Sequence, residues 1–284
     1  MVFVLASACS SPAGEPDAAA RADQDSGLPD AGSSDAGPSD AGPSDAGSSD
    51  AGPPEPIYLA GVHTLLWQDR FDGLASDAEL LANYTTLNPG SIHLDPSGGL
   101  GGSGAARLDW TGSTSCADDS VLLERSFPAT PELYVQFSVR YDPGFVFDWT
   151  QTSGPCSGNA KKLFFLWAVS GSRFDFISEN HVLGMGSDYD HPLFAQNTGA
   201  GLSPEQLGDG SWHRVTIHTR QSSTPTATDG FIEAWVDGRL RWSHAAIATH
   251  NSGGYDLFKM PTTFNQGSPV TQTEWLDGLS LWRP

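Results

Sequence analysis

The chain has 284 residues and a formal net charge of −20, with 34 acidic residues against 14 basic ones. No stretch is rich in lysine and arginine, so nucleic acid is excluded as an expected partner. No apolar run reaches the ~18 residues of a membrane-spanning helix, and residues 57–284 are long enough for one large domain.

The chain begins with a short apolar stretch, MVFVLASAC, in which small residues precede Cys9. The segment LASAC resembles the lipobox of bacterial lipoproteins, whose cysteine is lipidated and becomes the new N-terminus. Residues 1–9 are therefore predicted to be a truncated lipoprotein-type signal. It would anchor an exported protein to the bacterial cell envelope, at the outer membrane or cell surface. The alternative is a disordered apolar start with a chance cysteine.

Residues 10–56 form a low-complexity segment that repeats every five residues from Asp30: DAGSS, DAGPS, DAGPS, DAGSS and DAGPP. Such a composition buries too little apolar surface to offset the entropy of ordering the chain, so a disordered spacer is predicted. Its prolines and mutually repelling carboxylates should keep it extended. The predicted organisation is an anchor, a stalk and a head over residues 57–284.

The predicted head contains two cysteines, Cys116 in STSCADD and Cys156 in SGPCSGN, both in segments with the composition of loops. In an exported domain two loop cysteines are most simply paired, so a Cys116–Cys156 disulfide is predicted. The alternative is two free thiols in a cytosolic protein.

The strands of the head are predicted from alternation of apolar and polar residues. In ELYVQFSVRYD, residues 132–142, every second side chain is apolar. The pattern recurs in SWHRVTIHTR (211–220) and in FIEAWVDG (231–238), which ends in a hairpin turn at Asp237 and Gly238. LFFLWAV (163–169) is apolar on both faces and is predicted to be a central, covered strand.

EWLDGLSLW (274–282) is predicted to be the closing strand, and Gly/Ser-rich segments such as DPSGGLGGSG (95–104) are predicted to be long loops. The sequence has no amphipathic helix of useful length. About ten or more strands in two antiparallel sheets indicate an all-β fold, a jelly-roll β-sandwich.

Three segments of the predicted head carry a family resemblance. They are YVQFSVRYDPGFVFDW with the later KKLFFL, then SWHRVTIHTRQSSTPTATDGFIEAWVDGRLRW, and last TTFNQGSPVTQTEWLDGLSLW. In this order they resemble the concanavalin A-like lectin/glucanase superfamily, and within it the jelly-roll lyases that cleave alginate- or glucuronan-type polymers. The resemblance covers about residues 63–284. It implies a concanavalin A-like jelly roll with a groove for a polysaccharide.

The resemblance also implies catalytic residues. In these lyases a lysine before a leucine lies in the groove, and Lys162 holds that position here. β-Elimination needs a base, a cation that neutralises the uronate carboxylate and a proton donor to the leaving oxygen. Lys162 would be the base if desolvation or a neighbouring cation lowers its pKa, and Arg140 or Arg173 would pair with the carboxylate. Phenylalanines replace the family's tyrosines in this hairpin, so the proton donor is expected from the following loop: His181, Tyr189 or His191.

A second interpretation comes from glucanases of the same superfamily, which carry three acids on one strand. In RFDFISE, Asp175 and Glu179 match the second and third acids, but Arg173 replaces the nucleophile. A retaining glycosidase needs two carboxylates about 5–5.5 Å apart, and an arginine cannot attack an anomeric carbon. The sequence therefore disfavours a retaining glucanase.

The polar faces of the predicted strands form a candidate binding groove. Aromatic faces stack on sugar rings, and Trp212, Trp235 and Trp242 are expected to be exposed on this groove. The alternative is a solvated outer sheet with cross-strand ion pairs such as Arg214 with Glu233. The residues assigned to substrate binding are Tyr134, Gln136, Arg214, His218, Glu233 and Trp235.

Three functions are open. The sequence favours a surface lipoprotein that binds a polysaccharide, with or without weak turnover; the others are a uronate-polymer lyase and a structural or adhesive envelope protein. A polysaccharide is the expected partner, a lipid anchor the expected membrane contact and a monomer the expected state. No cofactor is expected, although the Asp-rich segments CADD (116–119) and SDYD (187–190) leave a structural calcium ion open. No His/Cys cluster has the spacing of a zinc site.

Overall fold

The structure, a computed structural model, describes residues 62–149, 152, 154–156, 160–169, 173–179, 182–187, 202–248, 253–261 and 263–284. Within these residues the chain forms sixteen strands, two short α-helices and two single-turn 3-10 helices. The strands and α-helices in chain order are β1 (Thr64–Asp69), α1 (Asp77–Ala82), β2 (Thr85–Leu87), β3 (Ile92–Asp95), β4 (Ala105–Trp110), β5 (Asp119–Ser120), β6 (Leu122–Thr130), β7 (Glu132–Tyr141), β8 (Ala160–Ala168), β9 (Arg173–Glu179), β10 (Val182–Ser187), α2 (Pro204–Leu207), β11 (Trp212–Arg220), β12 (Gly230–Val236), β13 (Arg239–Ile247), β14 (Tyr255–Met260), β15 (Thr263–Phe264) and β16 (Gln272–Arg283). The predictions for Cys9 and the five-residue repeats lie outside the described residues.

The described strands form two antiparallel sheets of eight strands each. In the first, called the β7 sheet, the order is β13-β12-β11-β7-β16-β4-β3, and β1 also pairs with β16. In the second, called the β8 sheet, the order is β10-β9-β8-β14-β6-β2. The short strand β15 joins this sheet by pairing with β8 and β5. This arrangement confirms the predicted all-β jelly-roll sandwich.

The two sheets pack through the inward faces of their strands. In β7 the alternate apolar residues from Leu133 to Tyr141 are all buried, as the pattern predicts. Phe137 of β7 lies over Phe164 of β8, with ring centroids 6.1 Å apart. Truncating a phenylalanine in such a core costs about 3–5 kcal/mol. These contacts therefore fix the interior strand β8 against the opposite sheet.

Two predicted connections are present. Asp237 and Gly238 have φ angles of 53° and 76° and join β12 to β13; positive φ at both central residues gives the turn that matches the twist of the flanking strands. The Gly/Ser-rich segment at 95–104 folds back onto the β7 sheet, where the Leu100 amide and Ser103 hydroxyl donate to the Asp277 carboxylate. This loop covers part of the outer face of the β7 sheet.

Both α-helices are short, with six residues in α1 and four in α2. The Ser76 hydroxyl accepts a hydrogen bond from the Glu79 amide and so caps the start of α1. In the described part of the chain, no helix has the length and apolar character needed to cross a membrane.

The predicted disulfide is confirmed. Cys116 and Cys156 are bonded, with Cα atoms 5.6 Å apart across a sequence separation of 40. Cys116 lies between β4 and β5, and Cys156 precedes β8. The bond therefore ties the loop after β4 to the chain that leads into β8.

Candidate functional site

The strand β8 directs two consecutive lysines to opposite sides of the sheet. The Lys161 side chain points into the core, where its Nζ lies 2.9 Å from the Glu274 carboxylate of β16. Lys162 faces outward, as alternation requires. The pairing with β9 then shifts between Lys162 and Phe164, which marks a β-bulge. Because of this bulge Phe164 again faces the core, and Phe165 shares the outer face with Lys162.

The outer face of the β8 sheet, called the β8 face, carries charged residues beside two aromatic rings. Arg173 of β9 pairs with Trp167, and Asp175 pairs with Phe165. On the other side of β8, Lys259 of β14 pairs with Phe165. Residues directly opposite each other in antiparallel strands lie on the same face of the sheet. The β8 face therefore includes Lys162, Phe165, Trp167, Arg173, Asp175, Lys259 and Glu124.

Three cations of the β8 face lie against its two rings. The guanidinium carbon of Arg173 is 4.2 Å from the Phe165 ring centroid and 5.2 Å from that of Trp167. The Lys162 ammonium lies 5.6 Å from the Phe165 centroid, and the Lys259 ammonium lies 5.3 Å from the Trp167 centroid. Cation–π attraction is worth about 0.5–2 kcal/mol per pair. The rings thus help to hold three positive groups together.

Two carboxylates partly balance these cations. Asp175 lies 3.7 Å from Arg173, and Glu124 lies 2.6 Å from Lys259. Asp175 is almost fully buried, whereas the side chains of Lys259 and Glu124 are each 23% exposed. Among its described side chains the β8 face has an excess of positive charge, although the chain as a whole is strongly acidic.

The outer face of the β7 sheet, called the β7 face, carries the residues predicted to bind substrate, together with Arg140. The Arg140 guanidinium carbon lies 4.1 Å from the Trp275 ring centroid and 5.2 Å from that of Trp212. The core separates this face from the β8 face, so Arg140 cannot act with Lys162 and Arg173. That predicted grouping is wrong. The substrate-binding set on the β7 face is Tyr134, Gln136, Arg214, His218, Glu233 and Trp235.

The tryptophans expected to be exposed on the β7 face are mostly covered. Trp242 is fully buried, because a bulge in the pairing of β12 with β13 places it opposite the inward-facing Ala234. Trp235 is only 3% exposed. Trp212 is half-buried and lines an open pocket of about 300 Å³. Since stacking on a sugar needs an open ring, the predicted roles of Trp235 and Trp242 as exposed platforms are wrong.

His218 lies at the centre of a packed cluster on the β7 face. Its ring stacks on that of Tyr134 at 3.8 Å, and its Nε2 lies 2.9 Å from the Glu132 carboxylate. Strand register pairs Glu233 with His218, rather than with Arg214 as expected. Burial lowers the pKa of His218 and raises the pKa of Glu233. Both shifts favour the neutral forms of these two side chains.

The predicted proton donors, His181, Tyr189 and His191, lie outside the described residues, so the structure adds nothing to their assignment. The glucanase-type acid Asp175 is buried beside Arg173, and the side chain of Glu179 is also outside the described set. On the β8 face, the described part of the hairpin therefore supplies two cations, Lys162 and Arg173, and one buried carboxylate, Asp175.

Of the two candidate calcium segments, most of SDYD lies outside the described residues. In CADD, the Asp118 carboxylate accepts a hydrogen bond from the Gln266 amide at 2.8 Å. No group of three or more His, Cys, Asp or Glu side chains in the described ranges is arranged to hold a metal ion.

Sequence reasoning missed two features of this region. It did not assign an inward position to Lys161, although two consecutive lysines in a strand must point to opposite faces. It also treated LFFLWAV as covered on both sides, whereas Trp167 is half-buried on the β8 face and contacts two cations. Alternation alone predicts opposite faces for the two lysines, but the bulge after Lys162 reverses the alternation, so only the pairing with β9 shows that Trp167 lies on the outer face.

No protein-family model matches this sequence, and no curated protein matches it. Solved structures do match. The alginate lyase Aly36B has a TM-score of 0.55 at 14% identity, with 77% of this chain and 96% of that one covered. Two variants of that lyase were solved in complex with an alginate trisaccharide and an alginate tetrasaccharide.

Two further lyases match over a similar range. The endo-β-1,4-glucuronan lyase from the fungus Trichoderma reesei has a TM-score of 0.55 at 12% identity, covering 78% of this chain and 96% of that one. The PL-14 alginate lyase from Aplysia kurodai has a TM-score of 0.53 at 14% identity, covering 78% and 100%. At such identities the likeness establishes the fold. The predicted resemblance to the jelly roll of alginate- and glucuronan-type lyases is confirmed.

Proposed function

We propose that the head binds a uronate-containing polysaccharide across the β8 face. The observation that carries this proposal is the convergence of Lys162 and Arg173 on the Phe165 ring. A guanidinium forms paired hydrogen bonds with a carboxylate, and an ammonium acts as a compact point charge. Carboxylates repeated along a uronate polymer would meet these two cations and then Lys259.

The fold supports the same proposal. Several matching structures are lyases named for alginate or glucuronan, and two hold alginate oligosaccharides. The β7 face is the weaker candidate, because Trp235 is only 3% exposed and part of the face is covered by the loop at 95–104.

Changing the cations of the β8 face is expected to weaken binding. Lys162→Gln removes a charge, and Arg173→Lys keeps the charge beside Asp175 but removes the guanidinium fork. Each change should weaken the affinity about tenfold, because a hydrogen bond to a charged group contributes about 1.5–3 kcal/mol. Titration calorimetry with alginate and glucuronan oligosaccharides would measure this.

Arg140→Lys is the matched control, because it makes the same type of change on the opposite face. The affinity of this variant should stay within about twofold of that of the unaltered chain. If Arg140→Lys weakens binding and the β8-face variants bind as tightly as the unaltered chain, the site lies on the β7 face. No binding by the unaltered chain would refute the proposal.

A lyase is the second candidate, favoured by the placement of Lys162 and Arg173 on one face. Arg173 would neutralise the uronate carboxylate while Lys162 removes the C5 proton, and a third group would protonate the leaving oxygen. Turnover would appear in the same mixtures as ultraviolet absorbance from unsaturated product ends. A signal lost in Lys162→Gln would identify the site as catalytic, and a flat trace would leave binding as the function.

We also propose that the protein is exported and held on the cell envelope through Cys9. The Cys116–Cys156 disulfide supports export, because such bonds persist in oxidising compartments. In its source cells the protein should fractionate with membranes, and Cys9→Ser should release it, since the acyl chains that Cys9 carries supply the membrane affinity. A neighbouring change, Ser11→Ala, should have no effect. Recovery of an unmodified Cys9 peptide by mass spectrometry would contradict this proposal.

A further inference from the structure

An open pocket of about 300 Å³ lies on the β7 face beside the loop at 95–104. Pockets that bind small molecules have volumes of about 300–1,000 Å³. The loop therefore covers part of the β7 face and also forms one wall of a pocket that is large enough for a small ligand. The residues that line the pocket are Leu100, Ser138, Trp212, His213, Arg214 and Asp237.

The wall that the loop forms is fixed before any ligand arrives. The Leu100 amide and the Ser103 hydroxyl both donate to the Asp277 carboxylate, at 2.8 and 2.7 Å. Strand register places Asp277 opposite Ser138, so the loop is anchored directly beside the pocket. The Leu100 side chain is 53% exposed, although its backbone is held. It is therefore available for contact with an apolar surface of a ligand.

Trp212 forms the aromatic wall of the pocket. Strand register pairs it with Arg140, whose guanidinium carbon lies 5.2 Å from the Trp212 ring centroid and helps to hold the ring on the β7 face. The C–H groups of a sugar ring pack against aromatic and aliphatic side chains, whereas its hydroxyls need polar partners. Trp212 and Leu100 can supply the first kind of contact.

Arg214 and Asp237 supply polar groups of opposite charge. The Asp237 carboxylate accepts a hydrogen bond from the Arg214 amide at 2.9 Å and lies 2.7 Å from His213 Nδ1, so it is held in position. Its side chain is still 45% exposed, and a carboxylate can accept further hydrogen bonds. A guanidinium has five N–H donors, so Arg214 can bond to a ligand and keep its contacts within the protein. The pocket thus presents donors beside an acceptor.

These opposite charges determine the class of ligand. Asp237 would repel a carboxylate, and Arg214 would repel a cation. A sugar hydroxyl can accept a hydrogen bond from Arg214 and donate one to Asp237 at the same time. We propose that the pocket binds one neutral pyranose residue, such as the end of a glycan, between Trp212 and Leu100. This site is separate from the β8 face and does not depend on the proposed function.

Saturation-transfer NMR of the full chain with the methyl glycosides of glucose, galactose and mannose would test this proposal. At least one of them should bind, and Trp212→Ala should weaken its affinity about tenfold, because the aromatic wall is lost. Leu100→Ser changes an exposed loop residue outside the core and should weaken the affinity about fivefold. Trp282→Ala removes a tryptophan of the β7 face that does not line the pocket. The affinity of this matched control should stay within about twofold of that of the unaltered chain.

The preference for a neutral ligand is tested in the Lys162→Gln variant, in which binding of uronates to the β8 face is weakened. This variant should bind the best of the three glycosides at least about tenfold more tightly than the corresponding uronide, because Asp237 repels the carboxylate. Adding Asp237→Asn should narrow this difference, and asparagine tolerates the positive φ of the turn. Equal affinities for the glycoside and the uronide before that change would contradict the assignment.

Two other results would overturn the proposal. One is that none of the three glycosides binds. The other is that Lys162→Gln removes their binding and Trp212→Ala does not, which would place them on the β8 face. Neither result bears on the binding of uronate oligosaccharides, so the proposed function would stand or fall on its own test.

Discussion

Replacing Lys161 with methionine is expected to lower the free energy of unfolding by about 3–5 kcal/mol, because it leaves a buried carboxylate without its partner. The side chains of Lys161 and Glu274 are both fully buried, and they lie 2.9 Å apart between the two sheets. The remaining contacts of Glu274 cannot replace an ammonium. Trp110 Nε1 donates to Glu274 Oε1, and Oε2 has no hydrogen-bond partner among the described residues.

The surroundings of Lys161 explain why the charged pair persists. Its ammonium lies 4.0 Å from the Trp110 ring centroid and 5.1 Å from that of Phe264. Burial lowers the pKa of Lys161, and attraction to the Glu274 carboxylate opposes that shift. The pair connects β8 of one sheet to β16 of the other, so it helps to determine how the sheets align.

Urea unfolding followed by circular dichroism would measure the loss, with Lys162→Met as the control. That neighbouring lysine faces outward, so its replacement should cost less than about 1 kcal/mol. Combining Lys161→Met with Glu274→Gln should recover more than half of the loss, because no buried charge then lacks a partner. Equal losses at Lys161 and Lys162, or a strictly additive double variant, would contradict the buried pair.

Removing the disulfide is expected to have the second largest effect on stability. The double change Cys116→Ser with Cys156→Ser should cost about 2–4 kcal/mol, since the bond closes a loop across a sequence separation of 40 and restricts the unfolded chain. For a domain of this size the melting temperature should fall by about 5–15 °C. Differential scanning calorimetry of the oxidised and substituted proteins would measure this.

Cys9→Ser is the natural control for this experiment, because it removes the third cysteine and leaves the bond intact. Its melting temperature should equal that of the unaltered chain. A reductant should lower the melting temperature of the unaltered protein to that of the double variant and should not move the double variant itself. If the double variant and the unaltered protein have the same melting temperature, the bond contributes nothing to stability.

Local alternation was enough to predict the strands that form the core. The apolar positions of β7 and the turn at Asp237 lie where the pattern places them. Prediction from alternation failed where a β-bulge adds one residue to a strand and so reverses the faces on which the following side chains lie. One bulge turns Trp242 inward in β13, and another follows Lys162 in β8. A bulge depends on how a strand pairs with its partner, which its own residues do not encode.

The candidate site was only partly predictable for a related reason. Lys162 and Arg173 were assigned from a strand position in a family resemblance, and the structure places both on one face. The sequence groups Arg140 with them as a second arginine that would pair with the uronate carboxylate. However, β7 and β8 belong to opposite sheets. Arg140 is therefore close to Lys162 in sequence but lies on the other side of the sandwich.

By itself, the sequence determined the fold class, the strands of the core and the disulfide, since each depends on local alternation or on a few residue types. Only the tertiary structure decided which charged residues share a face, which tryptophans are open and which of two adjacent lysines is buried. Side-chain alternation is local, whereas the assignment of a strand to a sheet depends on pairing between distant segments. The β8 face exists only after that pairing has formed.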